Sequence, residues 1–143
     1  MDVDVFQIPR KTWSVRYSQE HGWGCITGDG PLWFKKRGIY MPLLPLLEFE
    51  HDEVRDMVEN GVMQSGLAPA AAKEFPYSEL ITYALSWETD YWPGDAIKWL
   101  ERGFPLNQET ATALRHLVED GRRGQRLRHS ARALLKRWSR EDV

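Results

Sequence analysis

Helix-stopping residues recur at short intervals along the second half of this chain, and that spacing narrows the choice of fold more than any other feature. Thr89-Asp90-Tyr91-Trp92-Pro93-Gly94 interrupts one helical pattern, and Pro93 suits the first turn of the next. Gly103 ends that helix, Asn107 is placed to cap another, and Gly121 and Gly124 set off a last one. Between the stops, apolar residues fall at helical spacing. Tyr77, Leu80, Ile81, Ala84 and Leu85 form one stripe, and Ile97 and Leu100 a second. Ala111, Leu114, Leu117 and Val118 form a third, and Leu127, Ala131, Leu134, Leu135 and Trp138 a fourth. The pattern predicts four helices of roughly 10–16 residues over 77–140, each with one wet and one dry face. Links this short favour antiparallel neighbours.

The first 47 residues read differently. Val3 and Val5 alternate, as do Trp13, Val15 and Tyr17, which is strand spacing. Residues 22–31 are dense in chain-breakers. A hairpin turning at Gly28-Asp29-Gly30, between Cys25–Thr27 and Leu32–Phe34, fits them, and so does an irregular arm. From Glu50 the pattern turns helical, with Val54, Met57 and Val58 on one face, Asp52 as a candidate N-cap and Asn60-Gly61 as a stop. Residues 61–75, with Gly66, Pro69 and Ala70-Ala71-Ala72, read as a loop holding at most a short turn.

A single domain over 1–143 is therefore expected, with a β or irregular part over 1–47 and a helical part over 48–143. The expected class is mainly α. Its helical hairpins would stack as a HEAT-like array or close into a compact bundle, beside a short β-hairpin or irregular N-terminal segment.

Composition narrows the function. The lone cysteine, Cys25, allows no internal disulfide and suits a reducing cytoplasm. The longest apolar run, Ile39 to Leu47, is broken by Pro42 and Pro45 and falls far short of the roughly 20 residues a membrane span needs. The four histidines, His21, His51, His116 and His129, do not pair at metal-ligand spacing, so no metal and no cofactor is expected. The glycines of 22–30 lack phosphate-loop spacing, and no nucleophile motif is present. The expectation is a protein without catalytic residues, not an enzyme.

Two charged segments stand out instead. Residues 1–120 carry 11 basic and 19 acidic side chains, whereas residues 121–143 carry 8 basic and 2 acidic. Glu48, Glu50, Asp52, Glu53, Asp56 and Glu59 have only Arg55 as a local counter-charge. On a helix Asp52, Asp56 and Glu59 lie along one face, where like charges cost a few tenths of a kcal/mol each. A basic partner would offset that cost and be steered by it. These six acids, with Trp92 as an aromatic anchor, form the expected partner-binding surface. The rival is nucleic acid on the last helix, where Arg128, Arg132 and Lys136 follow an i, i+4, i+8 row.

Residues 90–106, Asp90-Tyr91-Trp92-Pro93-Gly94 through Gly103-Phe104-Pro105-Leu106, and the later Gln125-Arg126-Leu127-Arg128-His129-Ser130-Ala131-Arg132, carry a resemblance. Over residues 76–138 the order of helices is similar to the C-terminal half of small uncharacterised bacterial proteins, some of them resembling the immunity proteins that accompany polymorphic toxins. That resemblance implies a cytoplasmic protein that docks on a cognate toxin and occludes it. It assigns no functional residue.

Overall fold

Alternation at the start of the chain becomes four paired strands. The structure is a computed structural model and describes residues 2–141. Strands β1 (Asp2–Gln7), β2 (Ser14–Ser18), β3 (Gly22–Thr27) and β4 (Gly30–Trp33) form one antiparallel sheet in the order β1-β2-β3-β4. Helices α1 (Phe34–Arg37), α2 (His51–Gln64), α3 (Ala70–Lys73), α4 (Tyr77–Leu85), α5 (Tyr91–Glu101), α6 (Gln108–Glu119) and α7 (Gln125–Glu141) follow, with a 3-10 stretch over Met41–Glu48. This corrects the mainly α class, whether HEAT-like array or compact bundle. The chain is mixed α and β, because the strand-like runs pair with one another in a meander instead of ending as a lone hairpin or an arm.

The chain divides into two compact units, one ending at Pro76 and the other beginning at Tyr77. In the first, register places Val15 opposite Cys25 and Tyr17 opposite Trp23, so these four side chains share one face of the sheet. Val15, Trp23 and Cys25 are buried there. Trp23 packs edge-on against Tyr17 and Phe75 and donates its indole N–H to the carbonyl of Ala71 at 2.9 Å. The Tyr17 hydroxyl donates to Glu74 Oε2 at 2.6 Å. A large apolar ring with one satisfied polar handle thus fastens the 71–75 segment to the sheet. On the opposite face Gly24 pairs with Trp33, and a Cβ at Gly24 would collide with the Trp33 ring and the Leu32 carbonyl. Gly24 is a strand residue chosen for close approach and not a breaker.

Helix α2 packs on β1 and buries Val54, Val58, Gly61 and Val62, with Gly61 against Val5. Each valine is worth about 1.5–3 kcal/mol of burial. Asn60-Gly61 does not stop this helix. A Cβ at Gly61 would lie 2.7 Å from Val5 Cγ1 and 2.8 Å from the Val5 carbonyl oxygen, so the glycine admits β1. The stop is Gly66, at φ +75°. Gly66 N–H donates to Met63 O and Leu67 N–H to Val62 O, a Schellman ending. The start is also one turn-edge earlier than Asp52: Glu50 is the N-cap, and its side chain and that of Glu53 form a reciprocal capping box.

In the second unit the local signals at Asn107 and Gly103 hold, whereas the break read over residues 89–94 is shorter, because α5 already begins at Tyr91 and includes Pro93 and Gly94. Asn107 Oδ1 accepts from the Thr110 N–H at 2.8 Å and opens α6. The Thr110 hydroxyl, 2.9 Å from the same oxygen, also meets Thr82 at 3.1 Å and links α4 to α6. Helix α5 ends at Gly103, φ +109°, where Gly103 N–H donates to Leu100 O and Phe104 N–H to Trp99 O. The Trp99 and Phe104 rings complete this Schellman ending at a centroid distance of 5.9 Å. The stripes predicted for α4 to α6 are buried at Leu80, Ile81, Ala84, Leu85, Ile97, Leu100, Ala111, Leu114 and Leu117. On α7 only Ala131 and Leu134 are buried, while Leu127, Leu135 and Trp138 are half-buried.

Gly61→Ala is expected to lose about 1–3 kcal/mol in urea denaturation, because the Val5 backbone cannot yield. Asn60→Ala, one residue earlier and exposed, should lose nothing. Equal stability of Gly61→Ala and the parent would refute the close approach. In the second unit, Asn107→Ala should cost about 1–2 kcal/mol.

Candidate functional site

The acids of 48–59 are exposed for a structural reason. Helix α2 buries one face, so most of the intervening positions point to solvent. Glu48, Glu50, Asp52, Glu53, Asp56 and Glu59 are all exposed. They are not equivalent. Glu50 and Glu53 close the capping box, with the Glu50 N–H donating to Glu53 Oε1 at 3.1 Å. Asp52 pairs with Arg55 at 3.2 Å, one turn on. Asp56 and Glu59 have no ion-pair partner among the described residues. The face that a partner could claim at least structural cost is therefore the Asp56–Glu59 end of the helix. Among the described residues no group of three or more His, Cys, Asp or Glu side chains could hold a metal ion.

His51 begins this helix and is half-buried. Burial lowers its pKa below the ordinary 6.5, the Arg55 cation adds to that, and Asp52 opposes both. Cys25 is wholly buried, and burial pushes its thiol up to about 11. Its thiol is therefore protonated at neutral pH. The His21 ring stacks on Trp33 at 5.1 Å.

Trp92 belongs to the other unit. It is half-buried at the start of α5, edge-on to Tyr91 at 4.8 Å, and Tyr91 is the exposed ring of the pair. The structure thus groups the six acids on one helix and its approach, and places Trp92 apart from them in sequence and unit.

The basic row on α7 is partly consumed. Arg128 is half-buried and donates to the Val118 carbonyl at 3.2 Å. Arg123 donates to Thr89 O at 2.9 Å and pairs with Asp90 and Asp120. Arg122 binds Asp120 through both side chain and backbone and holds that carboxyl below its usual range. Arg115 lies over the Trp138 ring at 5.9 Å. Of the three residues expected to track phosphates, Arg132 and Lys136 remain exposed.

One feature escaped the sequence reading. A cleft of about 540 Å³ opens between the 100–106 segment and α7, lined by Leu100, Phe104, Leu106, Leu134, Arg137 and Trp138 among others. Arg137 Nη2 donates to the Leu100 carbonyl at 3.3 Å. The available signal was Phe104-Pro105-Leu106, apolar residues placed after a helix stop, where turn residues are usual. Among the described residues no helix is long and apolar enough to cross a membrane.

Two measurements follow from these environments. The lowered His51 pKa means that the unfolded chain takes up this proton first as pH falls. Stability should therefore decline below pH 6.5 until the lower folded value is passed, and His51→Gln should flatten that decline. An identical pH profile for His51→Gln would contradict the assigned burial. Cys25 should resist a thiol reagent in the native protein and react at the rate of unfolding, and rapid native labelling would contradict its placement. Set against known proteins, the chain matches no family model, no curated protein and no solved structure.

Proposed function

We propose that the chain is a non-catalytic protein-binding domain that works in the cytoplasm by docking on a basic partner through the exposed acids of α2. The further reading is that of an immunity protein, which occludes the active groove of a cognate toxin. The observation that carries the proposal is the pair Asp56 and Glu59: exposed, on one face of α2, and without an ion-pair partner among the described residues. Glu48, Glu50, Asp52 and Glu53 extend the same negative field, although three of them also serve the helix itself. An acidic field of this kind speeds encounter with a basic surface and orients it before contact. Occlusion needs a pre-formed surface and no chemistry by the chain.

Nucleic acid is the weaker reading. Arg128 is already bound to a backbone carbonyl, which leaves Arg132 and Lys136 from the expected row.

Co-expression with the products of adjacent genes tests the proposal, scored by growth and by co-purification. The expected result is a stoichiometric complex with a growth-arresting neighbour and restored growth. Asp56→Lys with Glu59→Lys should abolish both without lowering the amount of soluble chain. Absence of any complex would overturn the function, and a complex indifferent to the double reversal would overturn the surface.

A further inference from the structure

The cleft beside α7 lies in the other unit from the acids, and its charged lining residues are Glu101, Arg102 and Arg137. Its floor is apolar, formed by Leu100, Phe104, Leu106, Leu134 and Trp138. Leu100 and Leu134 are buried, and Phe104, Leu106 and Trp138 are half-buried, so these three keep apolar surface open to an occupant. Its volume falls within the roughly 300–1,000 Å³ typical of concave binding sites.

Arg137 stands in the wall. Its hydrogen bond to the Leu100 carbonyl holds the guanidinium at the end of α5, where helix carbonyls and a cation attract. Among the described residues Arg137 makes no other hydrogen bond or ion pair. A guanidinium carries five N–H donors in a fixed fork, so most of its capacity is unspent, and the fork matches a carboxylate. Its neighbours along α7 are mostly basic, with Glu141 as the acid at the helix end. Residues 121–140 hold eight Lys and Arg side chains and no acid.

We propose that this cleft docks a short segment of a partner protein in which an aromatic or aliphatic side chain stands beside an acidic one. The apolar side chain fills the floor between Phe104 and Trp138, and the carboxylate meets Arg137. A peptide fits better than nucleic acid, because the lining sets apolar side chains beside one acid, Glu101, and two cations, Arg102 and Arg137, instead of a run of cations. A phosphate track would need several exposed cations in the lining itself, and Arg132 and Lys136 are not part of it. The proposal is independent of the acidic face on α2, and it assigns a second, separately addressable contact.

Random peptides of about a dozen residues, displayed on phage and selected on the full chain, test it. The expected yield is peptides that pair Asp or Glu with Phe, Trp or Leu. Their synthetic forms should bind at micromolar Kd and weaken roughly tenfold or more with Arg137→Glu and, separately, with Leu106→Asp. Asp56→Lys with Glu59→Lys should leave that binding unchanged, which separates this cleft from the α2 face. Far-UV circular dichroism of each variant confirms folding, and Leu106→Asp serves where Arg137→Glu disturbs the end of α5. No enrichment of acidic-apolar peptides would overturn the proposal. Binding indifferent to both variants would do so too, as would a generic DNA duplex that binds in place of the peptides and is lost with Arg137→Glu.

Discussion

The contact of α2 with β1 decides what the first unit can show to solvent. A helix can lie this close to a strand only if one position carries no side chain, and Gly61 is that position. With Gly61 at the seam, Val54, Val58 and Val62 are drawn into the core, and the helix is fixed about its own axis. The acids then have one place to go. Their exposure is a consequence of packing on the far side of the same helix, and the capping box at Glu50 and Glu53 fixes where that helix begins. The fold itself draws on Glu50 and Glu53 and, through Arg55, on Asp52, while Asp56 and Glu59 add negative charge for which packing gives no reason.

The second unit is organised by its helix ends. Asn107 opens α6, Gly103 closes α5, and Asp90, Asp120 and Arg123 tie the turn before α5 to the turn before α7. Gly124 N–H donates to Asp90 Oδ2 at 2.9 Å in the same knot. Much of the basic charge that looks free in the sequence is therefore structural. Arg122, Arg123, Arg128 and Arg137 each bind a carboxylate or a carbonyl. Closing α5 with a Schellman turn also turns Phe104 back onto Trp99, and the chain that follows makes one wall of the cleft.

What the sequence made legible was local. Gly103 and Asn107 act within a turn of where they stand, so their roles could be read directly. The hairpin at Gly28-Asp29-Gly30 was equally local, with Thr27 paired to Gly30. Pairing among the first three strands was not, because it joins residues across turns and depends on which face each side chain takes. Gly24 and Gly61 show the same difficulty. Each reads as a breaker, yet each sits inside a regular element because a distant residue, Trp33 or Val5, needs the space. The candidate acids were legible as charge, but their division into capping, paired and unpaired groups required the backbone of Glu50, extended at φ −67° and ψ 148°. The cleft depended on a loop conformation that no periodicity encodes.

If Asp56 and Glu59 are displayed for a partner and not for the fold, reversing their charge should be thermodynamically quiet. The most direct measurement is the urea-denaturation free energy of Asp56→Lys with Glu59→Lys against the parent. A change within about 1 kcal/mol, of either sign, is expected for exposed charges of this kind. A loss of more than about 2 kcal/mol would mean that the two acids hold the structure together, and the surface proposed for recognition would have to be abandoned.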